Sequence, residues 1–154
     1  MLGGFNEVIP PGGSDILQLW SAAPLLGAVI EGLAGIRPDA GAHRVELAPR
    51  APTDLDFYSL EGVTVGGHEL SLAFRQGAGE RIVQVAHTAG DVPLLCVFRA
   101  VVEPGEVVLL NGAEVDVTPT ASLTLGREEV ALEFTLEPQE GARIVVGRLA
   151  SGRP

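Results

Sequence analysis

The stretch that decides the fold is VVLLNGAEVDV, at residues 107–117. Its centre, Asn111-Gly112, is the dipeptide that best suits a two-residue type I′ turn, because both positions of that turn need positive φ. Apolar residues precede the turn, and they alternate with acidic residues after it, as in paired strands. The stretch therefore predicts a β-hairpin.

The same two-residue period extends to both sides of this hairpin. Strand patterns stand at residues 43–49, 63–74, 81–88, 92–102, 122–125, 129–138 and 142–149. Turn signals separate them, among them Gly66-Gly67 inside residues 63–74 and Gly90-Asp91. In residues 129–138, Val130, Leu132, Phe134 and Leu136 share one face. Short strands of this number, with no helical pattern between them, predict an antiparallel β-sandwich.

One helix precedes the strands. Apolar residues recur at helical spacing over 25–33, and Gly35 followed by Pro38 supplies the stop, so the helix ends near Ala34. Its start is open, because both Ser14-Asp15 and Ser21 can cap it. The predicted fold class is mainly β, an antiparallel β-sandwich preceded by a single N-terminal α-helix.

Composition excludes several classes of function. The 154 residues hold 10 basic and 20 acidic side chains, and the net charge of −10 repels phosphate backbones and anionic lipids, so neither nucleic acid nor membrane is an expected partner. Gln18 and Glu31 interrupt the apolar run around the helix, which argues against a membrane span. Cys96 is the single cysteine, so an internal disulfide is impossible, and its apolar neighbours predict a buried, unreactive thiol.

Five other polar residues are of types that could form a site. Asp54 and Asp56 form a close acidic pair, which the loop context around them predicts to be solvated rather than catalytic or metal-binding. His43, His68 and His87 lie in or beside predicted strands at spacings without metal-ligand logic, which predicts surface or cross-strand residues. No metal site and no cofactor are therefore expected.

Three motifs near the N-terminus carry a resemblance to a known family. QLWSAAP at 18–24, followed by the apolar helix, then GIRP at 35–38 and VELAPR at 45–50, resembles the C-terminal end of (α/α)6-barrel glycoside hydrolases. Bacterial glycogen-debranching, amylo-α-1,6-glucosidase-like enzymes and α-L-rhamnosidases share this layout of a last barrel helix and a C-terminal β-sandwich. Rhamnosidases usually carry a Cys-His pair before the Trp-Ser step, where this chain has Leu17-Gln18-Leu19, so Gln18 favours the debranching-like group.

The resemblance implies roles for two residues. Glu7 stands where related enzymes carry a catalytic carboxylate, and would be the general base of an inverting pair whose members lie about 6.5–9.5 Å apart. Trp20 would offer a flat apolar face to a sugar ring. The competing interpretations are a solvated carboxylate for Glu7 and core packing for Trp20. The general acid would lie outside this chain, so the chain alone is expected to be inactive.

The implied organisation has three parts: the loop and last barrel helix at 1–37, the C-terminal β-sandwich at 38–150 and a tail at 151–154. The partners implied are a carbohydrate substrate, an α-linked oligosaccharide, and the missing catalytic barrel. The opening MLGGF shows no targeting pattern, which makes a cytoplasmic location the default expectation. The alternative to such a fragment is a free-standing β-sandwich that serves as a binding or structural module.

Overall fold

Two β-sheets pack face to face in the computed structural model, which describes residues 25–122 and 126–148. The strands in these ranges are β1 Ile36–Asp39, β2 Arg44–Leu47, β3 Phe57–Val65, β4 His68–Gly77, β5 Glu80–Ala89, β6 Leu94–Val102, β7 Val107–Leu110, β8 Ala113–Glu114, β9 Thr118–Ser122, β10 Glu128–Leu136 and β11 Gly141–Gly147. A short helical segment precedes β1. The predicted fold class, a mainly β sandwich behind one N-terminal helix, is confirmed.

The two sheets differ in the number and order of their strands, and one of them contains a parallel pair. The five-stranded sheet runs β1-β2-β6-β10-β9, and the six-stranded sheet runs β3-β4-β5-β11-β7-β8. All pairs are antiparallel except β2 with β6, which pair in parallel from Arg44↔Leu95 to Leu47↔Phe98. Between β2 and β6 the chain forms three strands of the other sheet, β3 to β5. It therefore enters β6 at the same end of the sandwich at which β2 begins. The sandwich is therefore antiparallel with one parallel pair.

The core confirms the predicted alternation. Val45 and Leu47 of β2 are fully buried, and in β10 Val130, Leu132 and Leu136 face the core while Glu133 is exposed. The largest fully buried side chains are Ile36, Leu47, Leu70, Leu94, Leu136, Ile144 and His87. At the predicted turn between β7 and β8, φ is 51° at Asn111 and 86° at Gly112, as a type I′ hairpin requires.

The helical segment differs from the predicted α-helix in its hydrogen bonding. Residues 25–27 are α-helical, and Ala28–Leu33 form a π-helix that closes with Ala34 N donating to Val29 O at 2.9 Å. It ends where the sequence predicts, because Gly35 has a φ of 63°. None of the residues from Ala28 to Leu33 is buried, although Ile30 packs against the edge of the core.

Strand β1 was not expected from the sequence, which uses Pro38 only as a helix stop. Pro38 lies inside β1, opposite Val45 of β2. β1 is an edge strand of its sheet, which is where a strand tolerates proline. The strand expected at residues 122–125 overlaps the end of β9 at Ser122, and the rest of it lies outside the described residues.

Candidate functional site

Glu7, with an implied catalytic role, and Trp20, with an implied sugar-binding role, lie outside the described residues, and both roles stay predictions. Asp54 and Asp56 are both exposed in the loop between β2 and β3. Within residues 25–122 and 126–148, no cluster of three or more His, Cys, Asp or Glu side chains is arranged to hold a metal ion. The candidate sites of the described chain are formed instead by three histidines and by a cavity between the sheets.

All three histidines meet at one end of the sandwich. His43 Nδ1 lies 2.9 Å from His68 Nε2, and His68 Nδ1 lies 3.0 Å from His87 Nε2. The far nitrogen of His87, Nδ1, lies 3.2 Å from the carbonyl oxygen of Glu137. His43 precedes β2, whereas His68 begins β4 and His87 belongs to β5, so this histidine chain joins the two sheets.

The Glu137 carbonyl sets the direction of every hydrogen bond in the histidine chain. A carbonyl only accepts, so His87 Nδ1 carries a hydrogen and donates, which leaves Nε2 of the neutral ring as an acceptor. His68 then donates from Nδ1 to His87, and His43 donates from Nδ1 to His68. Nε2 of His43, the one exposed ring, is the only ring nitrogen that takes no part in these hydrogen bonds.

This arrangement limits the charge that the histidine chain can carry. Two adjacent imidazolium rings would direct two N–H groups at each other, so at most one extra proton fits in the histidine chain. His68 is 2% exposed, and burial, with smaller contributions from His87 and His43, lowers its pKa below the ordinary 6.5. In the described residues, the hydrogen bonds of the histidine chain run between its members and to the Glu137 carbonyl, and they link the two sheets.

The sequence leaves surface and cross-strand positions open for the histidines, and the structure shows the second. They are cross-strand neighbours, but His68 and His87 are buried rather than on the surface. The sequence held a signal for this, because the inward period of Leu70 and Leu72 extends back to His68, and that of Val83 and Val85 extends forward to His87. What the sequence cannot supply is the register that brings residues from different strands within hydrogen-bond distance.

A cavity of about 460 Å³ opens between the sheets at the opposite end. Buried Phe74 and Phe98 form part of its apolar floor, and arginines from both sheets stand around it. Their charges are engaged: Arg81 pairs with Glu106 at 2.6 Å, Arg99 with Glu46 at 2.9 Å and Arg50 with Glu129 at 3.7 Å. An apolar cavity with a few polar groups is the usual form of a small-molecule site.

Cys96 is fully buried in β6, as the sequence predicts. Burial raises the pKa of its thiol to about 12, so almost none of it is the reactive thiolate at neutral pH. The only cysteine is therefore a packing residue and offers no nucleophile.

The helical segment is tied to the cavity end. Ala48 N donates to Gly35 O at 3.0 Å, and Arg50 N donates to Leu33 O at 2.9 Å. Tyr58 of β3 also donates its hydroxyl to Leu33 O, at 3.3 Å. Leu25 and Leu26, by contrast, are 46% and 59% exposed. The C-terminal end of the segment is thus fixed to the sandwich while its apolar start stays open among the described residues.

Comparisons with known proteins show a similar fold but no related sequence. No family model matches the sequence, and no curated protein matches it. Among solved structures, the α-L-rhamnosidase from Dictyoglumus thermophilum is similar, with a TM-score of 0.55 and 10% identity. The likeness covers 75% of this chain and 12% of the rhamnosidase chain, so this chain corresponds to a small part of that protein. In the described ranges, no helix is long and apolar enough to span a membrane.

Proposed function

We propose that this chain is the C-terminal part of a glycoside hydrolase with an (α/α)6-barrel catalytic domain, and that its sandwich braces the last helix of the barrel. The observation that carries the proposal is the helical segment at 25–33. Its residues form an apolar stripe, yet Leu25 and Leu26 stay largely exposed and no residue of Ala28–Leu33 is buried. Such a stripe needs a further apolar surface, and neighbouring barrel helices would supply it.

The joint between helix and sandwich supports the bracing role. The backbone bonds of Gly35 with Ala48 and of Leu33 with Arg50 fix the C-terminal end of the segment on the loop after β2. A helix held in this way presents its free face in one orientation, which a packed barrel requires. The likeness to a part of an α-L-rhamnosidase agrees with the barrel-exit motifs at 18–24 and 35–38, although the fold likeness says nothing about the sugar.

The reaction proposed for the intact enzyme is hydrolysis of an α-linked oligosaccharide with inversion and without a cofactor. Glu7 would remove a proton from the attacking water, and a carboxylic acid of the barrel would protonate the leaving oxygen. Trp20 would form part of the sugar-binding wall. The chain alone supplies one member of the pair and should not hydrolyse glycosides. A cytoplasmic location remains a prediction.

The test is the activity of the full-length gene product and its Glu7→Gln variant on aryl α-glycosides, including the α-L-rhamnoside, and on α-linked glucose oligosaccharides. We expect Glu7→Gln to lower kcat by about 10²–10⁴-fold, because it removes the base but keeps the size of the side chain. Glu114→Gln, an exposed substitution on β8, is the matched control and should leave kcat unchanged. Full activity in Glu7→Gln would contradict the role of Glu7.

The alternative is a free-standing sandwich that binds a small molecule, and the cavity of about 460 Å³ between the sheets favours it. The two proposals differ in whether the apolar face of the helical segment is covered in the isolated chain. A self-sufficient module should be a monodisperse monomer that does not bind a hydrophobic dye, whereas a brace without its barrel should bind the dye or self-associate. Light scattering and dye fluorescence on the isolated chain distinguish them.

A further inference from the structure

The outer face of the six-stranded sheet carries a row of side chains across four adjacent strands. Ser59 of β3 lies opposite Ala73 of β4, Ala73 opposite Gln84 of β5, and Gln84 opposite Arg143 of β11. Cross-strand partners point to the same side of a sheet, so these four side chains form one line. The line spans three inter-strand steps of about 4.8 Å, roughly 14 Å in all.

A groove runs along this line because several of the side chains in and beside it are small. Two hollows of about 260 and 490 Å³ adjoin on this face, and both are lined by Ala73, Gln84 and Arg143, so they form one depression. Ser71 and Gly141 extend its floor on one side. The groove is shallow, has hydrogen-bonding groups along its length and is long enough for a short oligosaccharide.

An aromatic ring and a guanidinium stand together at one end of this groove. Phe57 is 51% exposed and is the only aromatic residue among the large apolar side chains that the described residues leave exposed. The Arg75 guanidinium lies 5.8 Å from the centre of the Phe57 ring. The exposed part of the ring offers the usual apolar contact for the C–H face of a sugar, and the guanidinium over the ring can hold a carboxylate through two parallel hydrogen bonds.

Neither arginine of the groove is neutralised by a carboxylate of the described residues. Arg37, Arg50, Arg81 and Arg99 are each paired with a glutamate. Arg75 and Arg143 form no ion pair with any residue of the described ranges, although the whole chain carries a net charge of −10. Two guanidinium groups without a carboxylate partner on one face of an acidic protein are complementary to an anion.

We propose that this groove binds a short oligosaccharide containing a carboxylated sugar, with the sugar ring against Phe57 and its carboxylate between Arg75 and Arg143. The inference rests on the proposed function for the ligand being a carbohydrate, and on the two arginines for its charge. A single-stranded nucleic acid is the competing anionic ligand, and the titration includes it for that reason.

The experiment is a titration of the full 154-residue chain, labelled with ¹⁵N, with trigalacturonate as probe and maltotriose as its neutral counterpart. We expect trigalacturonate to bind about tenfold more tightly than maltotriose, and the amide signals of residues lining the groove to shift. Arg75→Gln, Arg143→Gln and Phe57→Ala should each weaken trigalacturonate binding about tenfold. Arg37→Gln, on the other sheet, is the matched control and should leave it unchanged. The mutated side chains are all exposed, and retained dispersion of the amide spectrum verifies folding.

Three results would overturn the proposal. Equal binding of the two sugars removes the role of the arginines, and shifts confined to residues outside the groove place the site elsewhere. Equally tight binding of an acidic peptide or a single-stranded oligodeoxynucleotide refutes a preference for carbohydrate. Binding is measured on this chain and hydrolysis on the full-length gene product, so a failure of the groove is distinguishable from a failure of the proposed enzyme function.

Discussion

Replacing Gly35 by alanine should release the helical segment from the sandwich. A Cβ at Gly35 would lie 2.0 Å from the carbonyl oxygen of Ala48 and 2.3 Å from its carbonyl carbon, far inside any van der Waals contact. These are backbone atoms of the segment that hydrogen-bonds Gly35, so no side-chain rotation relieves the overlap. The φ of 63° adds strain for any residue with a Cβ.

The cost of Gly35→Ala comes from three effects. The left-handed conformation costs alanine about 1–2 kcal/mol, and forcing the overlap costs about 1–3 kcal/mol more. If Ala48 moves away instead, the bonds from Ala48 N to Gly35 O and from Arg50 N to Leu33 O are lost, at about 1 kcal/mol each. We expect the free energy of unfolding to fall by roughly 4 kcal/mol, and Tm by roughly 10 °C for a chain of this size.

Scanning calorimetry and urea unfolding followed by circular dichroism measure this effect. Gly32→Ala is the matched control, because Gly32 lies in the same segment, its Cβ would meet no atom within 4 Å and its φ is ordinary. We expect that control to be neutral or to stabilise by up to about 1 kcal/mol. A Gly35→Ala protein within 1 kcal/mol of wild type, by the same measurement, would refute the close backbone approach at the joint.

Two further predictions concern the histidine chain. Burial lowers the pKa of His68 in the folded protein, whereas the unfolded chain takes up the proton near pH 6.5, so the free energy of unfolding should be flat above pH 7 and fall below pH 6.5 by up to about 1.4 kcal/mol per pH unit. Equal stability at pH 7.5 and 5.5 in urea unfolding would contradict this. Gly90→Ala should destabilise by about 2–4 kcal/mol, because its φ is 132° and its Cβ would lie 2.6 Å from His87 Nε2, whereas Gly67→Ala, whose Cβ meets nothing within 4 Å, should change the calorimetric Tm little.

The strands and turns could be predicted because their signals are local. The Asn111-Gly112 turn depends only on the conformations open to those two residues, and the burial of alternate residues in β10 depends only on the period of the pleat. The end of the helix at Gly35 is local in the same sense. Each of these features is set by a few neighbouring residues.

The assignment of strands to sheets could not be predicted, because it depends on partners far apart in sequence. Gly90-Asp91 separates β5 from β6 as expected, but the turn carries the chain from one sheet to the other, and no local pattern distinguishes this from a hairpin. The parallel pairing of β2 with β6 follows from that crossing. Strand β1 was hidden by Pro38, which a sequence pattern marks as a break and an edge strand tolerates.

The candidate sites divide in the same way. The histidine chain and the groove with Arg75 and Arg143 are products of register, since neighbouring members lie on different strands. The sequence therefore contains the residues but does not indicate that the fold brings them together. Glu7 and Trp20 came from resemblance alone, and their roles are still to be measured.

The most direct test of the central proposal is to sequence the gene upstream of the codon for Met1. If the sandwich braces a catalytic barrel, an open reading frame runs in phase for several hundred codons, encodes paired amphipathic helices and leads into the segment with Glu7 and Trp20. An in-frame stop codon followed by a ribosome-binding site directly before Met1 would contradict the account. The chain would then be a complete sandwich, and the cavity between its sheets would become the first place to look for a ligand.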